Sequence, residues 1–297
     1  MEKKQLGRTG LEVSIIGFGG APLGLQGYLS GEDRCSASFE RAATTAIRLA
    51  VERGVNLFDT APAYGDGRSE QIIGGALEPH REEVILATKF HRWPQGDPAE
   101  LEAILDGSLR RLRTDRVDLL QVHGNHFTAE HERLLLHSPV REWMERERER
   151  GRCRFLGITA EGGSGALERL LESGLFDTLQ ISYNLLCQSL CDHRFEPTGI
   201  VPLAKGLGLG VLTMRTATSG FLQNLLTREF PELSADALTA LAIRFVLSTP
   251  EVDCALIGMR TEREVLINVE LAEDPSNRLD LEALNDRYSL DLDALRG

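Results

Sequence analysis

An eightfold alternation of short apolar segments with helical segments constrains the fold of this chain more than any other feature. The apolar segments are continuously hydrophobic, as parallel strands are when both of their faces are covered. They occupy residues 14–20, 55–58, 83–90, 118–123, 154–159, 178–182, 210–214 and 252–258. The helices that alternate with them are expected at 36–53, 69–77, 98–112, 142–150, 164–173, 199–206, 235–248 and 262–271. Strands joined by single helices form a doubly wound sheet or a closed barrel, and eight of them favour the barrel.

Further segments lie outside this alternation. Residues 4–13, KQLGRTGLEV, place a glycine-containing turn between β-prone pieces and predict an N-terminal β-hairpin. Residues 215–233 are predicted to be irregular, and a polar break at 274–277 precedes an extra C-terminal helix near 279–290. Because the composition changes nowhere in a way that marks a linker, we predict one domain over residues 1–297, an α/β fold of the (β/α)8 TIM-barrel type.

The charge balance limits the kinds of partner. The formal net charge is −12, whereas nucleic acids and anionic membranes favour a basic surface. No apolar run approaches the roughly 20 residues that span a membrane, and no signal-peptide core follows the charged N-terminus. We therefore expect a cytoplasmic protein that acts on a small molecule and binds neither nucleic acid nor membrane.

The five cysteines are odd in number and irregular in spacing, which argues against a disulfide framework. Cys187, Cys191 and His193 lie close together in the sequence and raise the alternative of a metal site. No second pair lies at a distance that would complete a zinc set, so we favour scattered reduced thiols and predict no metal.

Titratable side chains stand near the ends of three consecutive predicted strands. These are Asp59, Lys89 and His123, and Tyr64 follows shortly after the first of them. In a barrel, neighbouring strand ends converge on one face. A lysine ammonium beside a tyrosine stabilises the phenolate, and so lowers a tyrosine pKa that is ordinarily near 10. A carboxylate keeps that lysine charged, and a histidine can donate to a substrate carbonyl, so the set suits protonation of an oxygen as hydride arrives at its carbon.

Acyl transfer is not favoured, because no Ser, Cys or Thr stands in a nucleophile setting. Each residue of the set also has an ordinary alternative when taken singly. These alternatives are a turn cap for Asp59, a half-buried loop aromatic for Tyr64, an ion-pair lysine for Lys89 and a core histidine for His123.

Four segments, LGRTGLEVSIIGFGG, FDTAPAYGDGRSE, ILATKF and DLLQVH, resemble the aldo-keto reductases in the same order and across nearly the whole chain. The resemblance implies a (β/α)8 barrel with an N-terminal hairpin, and a nicotinamide cofactor bound in an extended pose without a Rossmann domain. It implies that Tyr64 is the general acid in reduction and the general base in oxidation. Lys89 would tune Tyr64, Asp59 would hold Lys89, and His123 would orient the carbonyl.

The resemblance also implies residues around the nicotinamide ring. Gln180 is similar to the family's glutamine at the carboxamide, and Thr159 replaces the serine of a Ser-Asn pair whose asparagine is Ala160 here. Met214 stands where many members have a stacking tyrosine, and we expect Arg215 to reach the pyrophosphate. From the residues themselves, the glycine turn that includes Gly20 allows a ligand to approach the backbone closely.

The segment IGMRTEREVLIN resembles the family's adenosine-phosphate pocket through Gly258, Arg260, Thr261 and Asn268. A guanidinium matches phosphate with paired hydrogen bonds, so Arg260 is the candidate for the 2′-phosphate. Glu264 stands where an arginine or glutamine is often found, and its carboxylate would repel that phosphate. Charge complementarity favours NADPH, and NADH remains possible. The alternative is that Arg260 and Arg263 form only the surface of the last barrel helix.

Together these patterns predict an NADP(H)-dependent oxidoreductase that interconverts an aldehyde or ketone, of aromatic or sugar type, and its alcohol. One alternative is a non-catalytic regulatory subunit that binds a nicotinamide nucleotide, against which the intact tetrad argues. Another is a different barrel enzyme, such as an isomerase, that uses Lys89 or His123 as a base. The resemblance implies that the loops at 23–36, 91–98 and 124–132 and the last residues of the chain shape the substrate pocket. The three loops would suit a mixed polar and aromatic pocket, unless they are ordinary surface loops. Their polar and aromatic residues include Gln26, Tyr28, His91, Trp93, His126 and Phe127.

Overall fold

Eight parallel strands close into a barrel in this computed structural model, which describes residues 1–26, 33–91, 97–191, 198–284 and 286. An antiparallel pair, β1 (Lys3–Gln5) and β2 (Glu12–Ser14), precedes them. The barrel strands are β3 (Ile16–Gly19), β4 (Leu57–Asp59), β5 (Ile85–His91), β6 (Val117–His123), β7 (Cys153–Ala160), β8 (Thr178–Ser182), β9 (Gly210–Met214) and β10 (Cys254–Gly258). They follow one another around the barrel in chain order, and β10 pairs back to β3. The predicted (β/α)8 barrel and its N-terminal hairpin are confirmed.

Helices cover the outside of the barrel. They are α1 (Ala21–Gly24), α2 (Ala37–Glu52), α3 (Arg68–Leu77), α4 (Pro98–Leu112), α5 (Ala129–Leu136), α6 (Pro139–Glu149), α7 (Gly165–Glu172), α8 (Ile200–Gly206), α9 (Phe221–Glu229), α10 (Ala235–Leu247) and α11 (Glu262–Glu273). Residues 281–284 and 286 are helical too, within the extra C-terminal helix expected at 279–290, whose remainder lies outside the described residues. None of the described helices is long and apolar enough to cross a membrane.

The helix α2 shows how local sequence sets these elements. The hydroxyl of Ser36 accepts a hydrogen bond from the backbone N–H of Phe39 and so caps the helix. Ala43, Ala46, Ile47 and Ala50 form its buried face, and their small side chains let the helix lie close to the barrel. Gly54 ends the turn after the helix with a φ of 84°, a conformation that favours glycine.

The sequence patterns missed two helices, α5 and α9, whereas the charged helix expected at 142–150 is present as α6. Between β6 and β7 the chain forms two helices, α5 and α6, where one charged helix was expected. Thr128 caps α5, with His131 completing a capping box that usually carries Glu or Gln. Within the segment expected to be irregular, α9 starts at Gly220 without a side-chain cap, and the residue it buries is polar, Gln223. The start of α5 carries the ordinary N-cap residue Thr128, but α5 buries only Leu135 and so lacks a broad apolar face. The start of α9 lacks a side-chain cap.

The hairpin closes the N-terminal end of the barrel. Leu6, Leu11 and Val13 pack against Leu57 and Leu212 in a cluster that also includes other interior barrel residues. Each such fully buried side chain contributes about 1.5–3 kcal/mol relative to exposure. The apolar filling at this end leaves the polar side chains to the opposite end, where the strands terminate.

Candidate active site

The loop after β4 returns Tyr64 to the end of the barrel where Asp59 lies. This loop packs backbone against backbone on α1, because a Cβ on Gly24 would overlap the carbonyl oxygen of Tyr64. Gly65 has a φ of 66°, and a Cβ there would overlap the carbonyl of Gly24 in turn. The position of Tyr64 therefore depends on two glycines in close contact.

Lys89 connects Asp59 to Tyr64. Its Nζ lies 2.7 Å from both carboxylate oxygens of Asp59, 2.9 Å from the carbonyl oxygen of Thr60 and 3.3 Å from the hydroxyl of Tyr64. Asp59 and Lys89 are buried, with 3% and 1% of their surfaces exposed. Burial alone lowers the pKa of Lys89, but the charges of Asp59 and Tyr64 and their hydrogen bonds outweigh it, so the pKa is raised above its ordinary value. Lys89 is thus held as an ammonium ion beside the tyrosine.

His123, the last residue of β6, completes the group. Its ring meets the ring of Tyr64 edge to face, with centroids 5.8 Å apart. Both rings are half-buried. The structure therefore brings together the four residues that the sequence predicted, with the tyrosine and histidine open to a small molecule and the ion pair below them.

A glutamine that the sequence reading missed lies beneath this group. Gln121 is buried in β6, two residues before His123, and its Nε2 lies 3.1 Å from Asp59 Oδ1 and 2.9 Å from Gln180 Oε1. The Nε2 of Gln180 lies 3.4 Å from the other oxygen of Asp59. A polar residue two positions from His123 in an apolar strand faces the same side, and that spacing was an available signal.

The residues expected around a nicotinamide ring lie beside this network. The Sδ of Met214 is 3.8 Å from the amide nitrogen of Gln180. The hydroxyl of Thr159 lies 3.1 Å from the backbone nitrogen of Gly124, so it holds the chain that follows His123. The backbone N–H of Gly20 donates to the carbonyl of Asp59 at 2.7 Å, and a Cβ there would overlap the Ser69 hydroxyl. Gly20 therefore packs directly against the strand that carries Asp59.

Arg215 forms an ion pair that was not anticipated. Its guanidinium binds the carboxylate of Glu161 through two contacts of 2.8 Å, and the hydroxyl of Ser182 donates to Glu161 at 2.6 Å. Burial raises the pKa of Glu161, but Arg215 and Ser182 outweigh this and bring it below the ordinary value. Glu161 is therefore a carboxylate at neutral pH, and it connects the end of β7 to the end of β9.

Arg260 also pairs with a carboxylate. Its Nη2 lies 2.5 Å from Glu264 Oε1, and its backbone nitrogen lies 2.6 Å from Glu264 Oε2. Thr261 caps the helix α11, and Asn268 is buried on the same helix. Gly258 precedes this segment, and a Cβ there would overlap Pro22 of α1. The expected adenosine-phosphate residues thus lie together around the start of α11.

The remaining predictions from the sequence concern a metal site and the residues of a substrate pocket. Among residues 1–26, 33–91, 97–191, 198–284 and 286, no group of three His, Cys, Asp or Glu side chains could hold a metal ion. Phe127 is only 2% exposed and packs in the core, so it is not a pocket residue. The predictions for Tyr28, Trp93 and His193 concern positions outside the described residues.

Known proteins resemble this chain along nearly its whole length. The model of the aldo/keto reductase family matches residues 16–286. L-galactose dehydrogenase from Arabidopsis thaliana is 29% identical over an alignment of 316 positions, which takes in 96% of this chain and 93% of that protein. The holo form of an aldo-keto reductase from Bacillus halodurans has a TM-score of 0.70 and 26% identity, over 95% of this chain and 93% of the other. An aldo/keto reductase from Klebsiella pneumoniae in complex with NADP and acetate shares the fold, with a TM-score of 0.75 at 22% identity over 97% and 95% of the two chains.

The family's sequence pattern thus spans the barrel strands, and the barrel brings Asp59, Tyr64, Lys89 and His123 into one cluster. This chain belongs to the aldo/keto reductase family.

Proposed function

We propose that this protein is an NADP(H)-dependent oxidoreductase that interconverts an aldehyde or ketone and its alcohol, with Tyr64 as general acid and base. The observation that carries the proposal is the contact of the Tyr64 hydroxyl with Lys89, whose charge Asp59 sustains. An ammonium at 3.3 Å stabilises the phenolate that forms when the tyrosine gives up its proton.

The surrounding residues fit a nicotinamide dinucleotide. Gln180 offers an amide that can pair with a carboxamide, and Met214 beside it offers a polarisable surface for a ring. Arg215 and Arg260 have guanidinium groups suited to phosphates. The bound cofactor would supply or accept the hydride. Two Klebsiella pneumoniae neighbours were solved with NADP and with NADPH, which supports NADP(H) as the first cofactor to test and leaves NADH as the second.

The residues of this chain would then transfer the proton to or from the substrate oxygen. In reduction, His123 orients the carbonyl oxygen, and the Tyr64 hydroxyl donates its proton to that oxygen. In oxidation, the Tyr64 phenolate, stabilised by Lys89, removes the proton from the alcohol. Asp59 does not exchange the proton but keeps Lys89 charged and in place.

The proposed substrates are aromatic or sugar-type carbonyls and the matching alcohols. One relative is by name an L-galactose dehydrogenase, and this supports the sugar class. A panel of sugar and aromatic aldehydes and alcohols, run in both directions with NADPH and NADH, would identify the class that is used. Tight NADPH binding without turnover on this panel would instead favour a non-catalytic nucleotide-binding subunit.

The role of Tyr64 is tested by Tyr64→Phe, which removes the proton donor and keeps the ring. We expect turnover, followed by NADPH absorbance, to fall by about 10²- to 10⁴-fold, since this is the usual range for a general acid. Tyr183→Phe is a matched control, because it removes another tyrosine hydroxyl, one that contacts Thr249. Full turnover by Tyr64→Phe would show that the acid is assigned to the wrong residue.

A further inference from the structure

A buried carboxylate lies behind the candidate active site, where α3 packs on the barrel. Glu70, in the first turn of α3, has none of its surface exposed. Its Oε2 lies 2.7 Å from both Nε and Nη2 of Arg111 on α4, and its Oε1 accepts a hydrogen bond of 2.7 Å from the hydroxyl of Thr88. One oxygen is thus engaged by the cation that compensates the buried charge, and the other is engaged by a strand of the barrel.

Thr88 links this carboxylate to the candidate acid–base group. It precedes Lys89 in β5, and successive side chains of a strand point to opposite faces. Thr88 therefore faces Glu70 on α3, while Lys89 faces Asp59. A shift of the backbone at Thr88 also shifts Lys89, so the hydrogen bond to Glu70 restrains the lysine from outside the barrel.

The same turn of α3 also holds the groups that Lys89 contacts. The hydroxyl of Ser69 accepts a hydrogen bond from the hydroxyl of Thr60 at 2.9 Å, and the backbone N–H of Ser69 donates to the carbonyl of Tyr64 at 3.2 Å. The carbonyl of Thr60 in turn accepts from Lys89 at 2.9 Å. The start of α3 is therefore connected to both partners of the contact between Lys89 and Tyr64.

We propose that Glu70 is a positioning residue for proton transfer, which acts through Thr88 to hold Lys89 within hydrogen-bonding distance of Tyr64. This rests on the proposed function, in which Tyr64 exchanges the proton with the substrate. Lys89 Nζ lies 3.3 Å from the Tyr64 hydroxyl, and the stabilisation of a phenolate by an ammonium falls as this distance grows. A displacement of about 1 Å is enough to move the titration of Tyr64 to higher pH by about half a unit or more.

The first experiment removes the hydroxyl of Thr88 and keeps nearly the same side-chain shape. Thr88→Val loses the hydrogen bond to Glu70, whereas Thr88→Ser keeps a hydroxyl that can make it. Thr178→Val is the matched control, because Thr178 is a buried threonine of β8 whose hydroxyl has no hydrogen-bond partner in the part of the chain that the structure describes. We expect Thr88→Val to lower kcat by about tenfold with little change in KM, and the other two variants to stay within about twofold of wild type.

The titration of Tyr64 gives a second readout, which needs no substrate. It is followed by the ultraviolet absorbance of the phenolate, as the difference between each protein and the same protein with Tyr64→Phe. Thr88→Val should move this titration to higher pH by about half a unit or more, and the pH profile of alcohol oxidation should move with it. Asp59 and His123, the other titratable side chains described beside Tyr64, are unchanged in all of these proteins.

A double-mutant cycle tests the carboxylate itself. Glu70→Leu removes the acceptor, and the side chain of Arg111 is 26% exposed, so its guanidinium can turn towards water. If Glu70 acts through Thr88, adding Thr88→Val to Glu70→Leu should lower kcat by no more than about twofold further. Two losses that simply multiply would show that Glu70 and Thr88 act separately, which would overturn the proposal. If Glu70→Leu does not fold, the Thr88 variants decide the question.

Unchanged kcat and unchanged Tyr64 titration in Thr88→Val would also overturn the proposal, and so would an equal loss in Thr88→Ser or in Thr178→Val. The phenolate titration separates this result from the proposed chemistry. A shifted Tyr64 titration in a protein that turns over no carbonyl or alcohol would support Glu70 and contradict the oxidoreductase. Turnover with neither change would contradict Glu70 alone.

Discussion

The amide nitrogen of Gln121 lies 3.1 Å from the carboxylate of Asp59, so a residue buried below the site helps to hold the ion pair that supports Tyr64. The same nitrogen donates to Gln180, and it thereby joins the residue expected at the nicotinamide to the cluster of Asp59, Lys89 and Tyr64. The carbonyl oxygen of Gln121 is buried and has no hydrogen-bond partner among the described residues. Gln121 therefore acts through its Nε2, which donates to Asp59 and to Gln180.

Substitution Gln121→Met should leave the volume of the barrel interior nearly unchanged while it removes these donors. We expect a loss of about 1–3 kcal/mol in the free energy of unfolding, the usual cost of leaving a charged group short of a hydrogen bond. With less positive potential near Asp59, the pH dependence of alcohol oxidation should move to higher pH. Gln71→Met, the same change at an exposed position of α3, is the control. A pH profile identical to the wild type would contradict a positioning role for Gln121.

Because Asp59 and Lys89 form a buried ion pair, we expect a substitution of Asp59 to restore stability that is lost when Lys89 is replaced. Lys89→Met leaves the carboxylate of Asp59 buried without its cation, which should cost about 3–5 kcal/mol of stability. Asp59→Asn combined with Lys89→Met removes both charges and should recover most of that loss, while turnover stays abolished in both variants. Urea unfolding and NADPH oxidation measure the two effects. A double variant no more stable than the single one would mean that packing, and not charge, sets the cost.

The raised pKa of Lys89 predicts how stability depends on alkaline pH. Burial lowers this pKa, but the charges and hydrogen bonds of Asp59 and Tyr64 raise it by a larger amount. The pKa in the folded protein therefore lies above the ordinary lysine value of 10.5. The stabilisation is therefore complete below 10.5 and is lost as pH rises through the folded value. The stability difference between wild type and the double variant should stay constant from about pH 7 to 9 and shrink at higher pH. A difference that falls already below pH 9 would contradict this.

The close contact between Gly24 and Gly65 predicts that a substitution at Gly24, which is not one of the four clustered residues, lowers turnover. In Gly24→Ala the new methyl group would overlap the carbonyl of Tyr64, so the loop must shift. We expect turnover to fall by up to about a hundredfold, since small displacements of a reacting group have large effects, with NADPH affinity nearly unchanged. Gly206→Ala is the control, because a methyl group there meets no atom within 4 Å. Unchanged turnover in Gly24→Ala would show that the loop yields without moving Tyr64.

The ion pair of Arg215 with Glu161 predicts a change common to both cofactors. In Glu161→Gln the guanidinium loses the negative charge of Glu161, and at that contact a pyrophosphate competes with a neutral amide. We expect NADPH and NADH both to bind about two- to fivefold more tightly, because a half-exposed ion pair contributes modestly. Calorimetry with both cofactors tests this. A change in their ratio, in place of a parallel change, would argue that Arg215 does not meet the pyrophosphate.

The sequence was sufficient to predict the barrel and the grouping of Asp59, Tyr64, Lys89 and His123 at one end of it, and for a physical reason. Asp59, Lys89 and His123 lie near the ends of successive parallel strands, and such ends converge whatever the details of the loops. The contacts of Gln121, Glu161 and Glu264 depend on which side chains face each other across the barrel mouth or along a helix turn. The spacing of Gln121 from His123 indicates which side of β6 it faces. Strand register and rotamers decide which partners these side chains meet, and neither can be read from the order of residues.

Among the described residues, the apolar filling at the N-terminal end of the barrel, where Leu6, Leu11 and Val13 pack, closes that end to a small molecule. Any small molecule that contacts Tyr64 must then enter and leave through the loops at the other end. Tyr64 lies on one of those loops, packed against Gly24, so a substitution that widens the entrance at this loop also moves Tyr64. The hairpin residues are separated from that opening by a layer of side chains, and they can vary in sequence to adjust stability without touching the substrate.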